Sequence, residues 1–207
     1  MDMGLLSATT SLTRYRVDGK LEDPIMDTIA AGLKKNTIAD IDNNPSDQAV
    51  GWVNFQDPFR TDVESSRFMM GTAIVFALRI DKKTIPSKMV QKHVAMVSAR
   101  RMKEMGRDFL SASEKRSIRD TVLNHLNLQM PSTPSVYDVV WHYENAAVWF
   151  FSNLKHANEE LETLFIKSFG LSLVRSIPYT MAAMDKDRTP EQLDRLNRLS
   201  ADRNNTE

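Results

Sequence analysis

KKTIPSKMVQKHVAMVSARRMKEMGRDFLSASEKRSIR, residues 82–119, is the stretch around which the chain is organised. Eleven of its residues are basic: Lys82, Lys83, Lys88, Lys92, Arg100, Arg101, Lys103, Arg107, Lys115, Arg116 and Arg119. Only Glu104, Asp108 and Glu114 oppose them, so the segment carries +8. The whole chain has 27 residues of each sign, which leaves −8 on the remainder. A neutral protein that sorts its charge this way has a basic face and an acidic body. Such a face attracts polyanions even at zero net charge.

The same stretch has helical order. At Ile85-Pro86-Ser87, proline fits a first helical turn and Ser87 can cap it. Val90, Val94, Val97, Met102 and Met105 recur at helical spacing and predict the inward stripe. Lys88, Lys92, Arg100, Lys103 and Arg107 fall on the other side, with Ala95 and Ala99 keeping that face low. Gly106 ends this helix. Ser111-Ala112-Ser113-Glu114 reads as a capping box for a second one. Its inward side is Ile118, Val122, Leu126 and Gln129, and Lys115, Arg116 and Arg119 occupy its first turns. Two basic helices joined by a short break make a helical hairpin, spanning 84–133, whose charge suits phosphate binding.

Outward from the hairpin, Leu12–Val17 predicts a strand. Asp23-Pro24 reads as cap and first residue of a helix with Ile25, Ile29 and Leu33 on one face, ending near Lys35. Asp40–Gln48 is a loop by composition. Ala49–Val53, containing Gly51-Trp52, is a short strand, and Asn54–Arg67 a polar connection. Thr72–Ile80 is apolar on both alternating faces until Arg79, as in a central covered strand. Beyond the hairpin, Met130–Pro134 breaks the helix. Val136–Tyr143 and Ala147–Ser152 form a strand pair across Glu144-Asn145, Asn158–Phe169 a helix closed by Gly170, and Leu171–Ile177 a last strand. The class is α+β: a largely antiparallel sheet with packed helices and a projecting basic hairpin. Residues 1–185 form one unit. Residues 186–207 form a polar C-terminal helix, with Leu193, Leu196 and Leu199 on one side, and a tail.

At 207 residues the chain can bury a real core. It contains no cysteine, so disulfide and thiolate chemistry are excluded and a reducing cytoplasm fits. No apolar run approaches a membrane span, and no signal peptide is evident at Met1–Thr10. None of the seven glycines sits in a phosphate-cradling pattern.

Gly51-Trp52-Val53, the strand ending before Ile85-Pro86-Ser87, the basic helix, Glu114-Lys115-Arg116-Ser117-Ile118-Arg119-Asp120-Thr121-Val122-Leu123, the strand at Trp141 and Lys167-Ser168-Phe169-Gly170 together resemble the RdgC family. These are bacterial recombination-associated DNA-binding proteins, sometimes labelled exonucleases. The likeness runs from Leu12 to Ile177. It implies a nucleoid-associated homodimer that encloses double-stranded DNA in a basic hole without reading its sequence, and that restrains the strand-exchange recombinase. The helix from Ser87 and the Lys115, Arg116, Arg119 turn match the family's basic region. Two departures stand out. The family's basic, Phe-containing loop after the second helix is replaced by Gln129–Pro134, which has neither charge nor aromatic, and the family is longer at its C-terminus. The expectation is therefore a dimer held at one interface, or a weak one, without a closed ring.

Catalytic signals are weak, so the chain reads as non-enzymatic, with no cofactor and no metal. His93, His125, His142 and His156 lack ligand spacing. Asp62 with Asp81-Lys82-Lys83 is the closest approach to a metal-dependent exonuclease, whose metals need paired carboxylates beside a lysine. Tyr137, Trp141, Tyr143, Trp149, Phe150 and Phe151 suggest either core or a base-stacking platform. No basic residue lies between Val136 and Asn153, which favours core. A further alternative is a degenerate relative that binds protein only, through its acidic body or the Leu193-Leu196-Leu199 helix.

Overall fold

The computed structural model describes Leu5, residues 10–60 and 69–177, Thr189, Glu191 and Gln192. The expectations for Asp62, for the remainder of the 54–67 connection and for the Leu193-Leu196-Leu199 helix fall outside these residues. The elements run β1 (Thr13–Asp18), α1 (Ile25–Lys35), β2 (Gln48–Val53), β3 (Met69–Met70), β4 (Ala73–Lys82), α2 (Ser87–Met105), α3 (Ala112–Gln129), β5 (Thr133–His142), β6 (Ala147–Phe150), α4 (Lys155–Phe169) and β7 (Ser172–Arg175). The strands form one sheet in the order β2-β4-β5-β6-β1-β7, with β3 beside β4. Every named strand pair is antiparallel, so the chain is α+β as its sequence reads.

Alternation sorts the strands into two faces. Ile74, Phe76, Leu78 and Ile80 of β4, Val139 and Trp141 of β5, and Val148 and Phe150 of β6 join Tyr15, Val17 and Trp52 under α1 and α4. Ile29 and Leu33 descend from α1, and Leu161, Leu164, Phe165 and Phe169 from α4. On the opposite face, Ala73, Val75, Val140 and Phe151 pack with Leu5, Leu12, Phe55 and Trp149, while Ile38, Val53 and Ala77 form a smaller group. Covered on both sides, β4 is the central strand that its apolar run up to Arg79 predicts.

Gly51 explains the Gly-Trp pair in β2. A Cβ there would stand 2.3 Å from the backbone of Ile38. Only glycine lets residues 36–38 lie against the strand, where the Trp52 N–H donates to Asn36 O and the Ile38 N–H donates to Trp52 O. The Trp52 indole N–H then donates to Ser168 Oγ at 2.7 Å, tying β2 to α4.

Several boundaries differ from the sequence reading. Pro24, not Asp23, occupies the cap position of α1, without a side-chain cap. Pro86 likewise precedes α2 with Ser87 already helical, so Ser87 does not cap. Helix α4 begins at Lys155 because Asn158, read as its start, sits inside the first turn. There its amide donates to Ser152 O and Leu154 O, and its Oδ1 accepts the Tyr15 hydroxyl at 2.6 Å. Strand β5 starts at Thr133, because β4 keeps pairing to Lys82↔Thr133. Pro134, next to the strand's first residue, is tolerated there.

That register places the basic hairpin. Helices α2 and α3 fill the connection between two neighbouring antiparallel strands, leaving the sheet after Lys82 and returning at Thr133, directly opposite. The insertion emerges from one end of a strand pair and carries its own small core of Val90, Leu110, Ile118, Val122 and Leu126. Each such side chain contributes about 1.5–3 kcal/mol when fully buried. Neither helix would hold its shape without the other.

Candidate nucleic-acid interface

The two helices meet along rows spaced by four residues. In α2 the row is Val90, Val94, Ser98 and Met102, and in α3 it is Glu114, Ile118, Val122 and Leu126, all buried or half-buried. This corrects the predicted stripes. Val97 and Met105 step off the α2 row and are 41% and 43% exposed, and Gln129 of α3 is also exposed. A helix that contacts one neighbour along one row buries a narrow strip and leaves the rest to solvent.

Ten of the eleven candidate cations lie on that solvent side. Lys82 is exposed at the end of β4, as are Lys88, Lys92, Arg100, Arg101 and Lys103 on α2, Arg107 in the connector, and Lys115, Arg116 and Arg119 in the early turns of α3. At about 100° per residue, Lys88, Lys92, Lys103 and Arg100 share the face opposite the packing row. Met89 and Met96 stand among them, 36% and 60% exposed. The sequence reading passed over these methionines, although the same angular count places them there. Two of the cations have nearby acids: Arg100 Nε lies 2.9 Å from Glu104 Oε1, and Arg107 Nη1 lies 3.8 Å from Glu114 Oε1. Exposed pairs of this kind hold their partners loosely and do not remove the charge from reach.

Lys83 is different. It is 4% exposed, and its ammonium donates to Asn44 O at 2.7 Å and Asn127 O at 2.6 Å. Asn127 belongs to the last turn of α3, whose carbonyls lack helical partners, and no basic residue of α3 itself lies in that turn. Lys83 therefore caps α3 from the end of β4 and is withdrawn from any phosphate-facing surface. Beside it, Asp42 Oδ1 accepts both the backbone N–H and the hydroxyl of Ser132 at 2.9 Å. These bonds are the main reason its carboxyl sits below the usual range. Loop 40–47 thus clasps both the end of α3 and the entry to β5.

The hairpin tip is fixed at both ends. Gly106, with φ 61°, closes α2. The N–H of Gly106 donates to Lys103 O and that of Arg107 to Met102 O, the paired bonds of a Schellman motif. On the other side, the predicted capping box is present: Glu114 N–H donates to Ser111 Oγ, and Ser111 N–H donates to Glu114 Oε2. The Glu114 carboxyl is lowered chiefly by that backbone donor. Between the caps, Leu110 turns inward and is 5% exposed, while Phe109 turns outward and is 74% exposed.

Of the residues weighed for catalysis, Asp81 and Lys83 are engaged elsewhere. Asp81 is 2% exposed and receives both Nε and Nη2 of Arg79, at 2.7 and 2.6 Å. Positions 79 and 81 share a strand face, so the pair forms locally and holds the carboxylate buried against the guanidinium, away from solvent. Among the described residues, no three His, Asp or Glu side chains are grouped so as to hold a metal ion. The aromatic stripe packs into the core: Trp141, Phe150 and Phe151 are buried, and half-buried Tyr137, Tyr143 and Trp149 pack against the same clusters, which leaves no exposed base-stacking platform. A groove of about 630 Å³ lies on the other face of the sheet beside Phe55, Phe59, Tyr137, Asp138 and Leu154. Burial raises the Asp138 carboxyl, and its Oδ2 accepts the Leu5 N–H at 2.7 Å. No helix among the described residues is long and apolar enough to cross a membrane.

The chain matches no family model and no curated protein.

Proposed function

We propose that the chain binds double-stranded DNA without reading its sequence, through the α2–α3 hairpin, as a non-catalytic, nucleoid-associated protein of DNA recombination. The observation that carries this reading is the concentration of nine exposed cations on one inserted element, with Lys82 at its root, whose apolar contacts are confined to its inner seam. The basic face of α2 carries no Asn or Gln among its cations to read adenine edges. The RdgC-like element order supports the same reading, together with a homodimer and the recombinase as a partner. Because loop 129–134 lacks charge and aromatics, the proposed dimer is held at one interface and leaves the ring open.

The test is duplex binding as a function of salt. Five phosphate contacts, from Lys88, Lys92, Arg100, Lys103 and Arg107, give a slope of log K against log salt of about −4.5. Replacing Lys92 and Lys103 with Ala reduces it to about −2.7 and weakens unrelated sequences alike. A folded double variant with an unchanged slope would remove the hairpin from the interface. Loss of end-labelled DNA with magnesium would favour the exonuclease reading instead.

A further inference from the structure

Phe109 is the most exposed large apolar side chain among the described residues, at 74%. Phe59, the next at 65%, has the Arg79 guanidinium over its ring at 5.6 Å. Phe109 stands at the far end of an inserted hairpin, in a connector whose two ends are locked by the Gly106 closure and the Ser111–Glu114 box. Its neighbour Leu110 is anchored in the hairpin core. The chain bears little further ordering cost to present this ring. Around it in sequence lie Arg101, Lys103, Arg107, Lys115 and Arg116, all exposed. Glu104 and Glu114, two of the acids close by, already face Arg100 and Arg107.

An apolar ring held outward on a hairpin rich in exposed cations, with Asp108 the one acid directly beside it in sequence, suits a polyanion that has flat apolar faces. Nucleic acid has both, and apolar wedges enter duplexes where stacking is easily broken. We propose that Phe109 inserts its ring at weakened base steps, such as gaps, nicks and mismatches, and so directs the protein to interrupted duplexes. The inference rests on the DNA-binding reading above. It adds a structural preference that phosphate contacts alone do not provide.

The experiment compares intact duplexes with duplexes carrying a one-nucleotide gap flanked by 2-aminopurine, using wild type, Phe109→Ala and Phe109→Trp. The exposed position makes all three equally foldable. Wild type is expected to prefer the gapped duplex by about fivefold or more, the low end of base–aromatic stacking, and to change the 2-aminopurine fluorescence. Phe109→Ala loses both effects. It keeps intact-duplex affinity within about twofold and an unchanged salt slope, since phosphates dominate that term. Phe109→Trp retains the preference. Normal salt-dependent binding with no gap preference in wild type overturns the wedge alone. Absence of any duplex binding at low salt overturns the DNA reading and the wedge together. If Phe109→Ala instead alters the sedimentation of the DNA-free protein while wild type ignores the gap, the ring docks on a second copy and the proposal fails.

Discussion

Replacing Lys83 with Met separates two accounts of one lysine. As part of a basic run, Lys83 would be a phosphate contact equivalent to Lys82. In the fold, its ammonium satisfies two carbonyls, at 2.7 and 2.6 Å, that join loop 40–47 to the end of α3. Each hydrogen bond to a charged group contributes about 1.5–3 kcal/mol. Removing the ammonium also relieves its desolvation, which offsets part of that gain. Both carbonyls belong to part-buried pairs and regain some water. A net loss of about 2 kcal/mol follows, which at a urea slope of about 2 kcal/mol/M lowers the unfolding midpoint by about 1 M. Lys82→Met, exposed and unpartnered by any such cap, should stay within about 0.5 kcal/mol of wild type. In duplex titrations the roles reverse. Lys83→Met leaves the salt slope of the folded protein intact, whereas loss of one phosphate-contacting lysine reduces it by about 0.9. Hydrogen exchange should locate the loosening of Lys83→Met in the last turn of α3 and in residues 40–47. If Lys83→Met unfolds like wild type and reduces the salt slope, the capping role is wrong.

Gly51→Ala forces a Cβ to within 2.3 Å of the Ile38 backbone, so residues 36–38 must leave β2, at a cost of about 3 kcal/mol. A urea midpoint unchanged from wild type would contradict that close approach. Asp42 supplies a pH dependence. Its folded carboxyl lies below the usual aspartate range, chiefly through the Ser132 N–H, so its contribution is fully present above that range and is lost as pH falls through the lower folded midpoint. The Asp42 carboxyl resonance should titrate with a midpoint below the usual aspartate range in wild type. It should rise when Ser132→Ala removes the hydroxyl donor, and an unaltered midpoint would show that this bond is absent.

By itself the sequence determined what depends on neighbours along the chain. The charge count located the hairpin. Gly106 and the Ser111–Glu114 box set its break, and β4 betrayed its central place by being apolar on both faces. These are short-range signals: a cap is satisfied within four residues, and alternation needs only one strand. Only the tertiary structure decided the rest. Val97 and Met105 have core-like periodicity, yet α2 packs along a single row, so the hairpin exposes what a helix on the sheet would bury. Asp81 and Lys83 look alike in a charged cluster. Their partners are Arg79, two residues away across the pleat, and the carbonyls of Asn44 and Asn127, about forty residues to either side. Burial makes such distant pairings obligatory, because a charge removed from water must be matched. The matching groups are brought there by the register of β4 on β5, which no local pattern encodes.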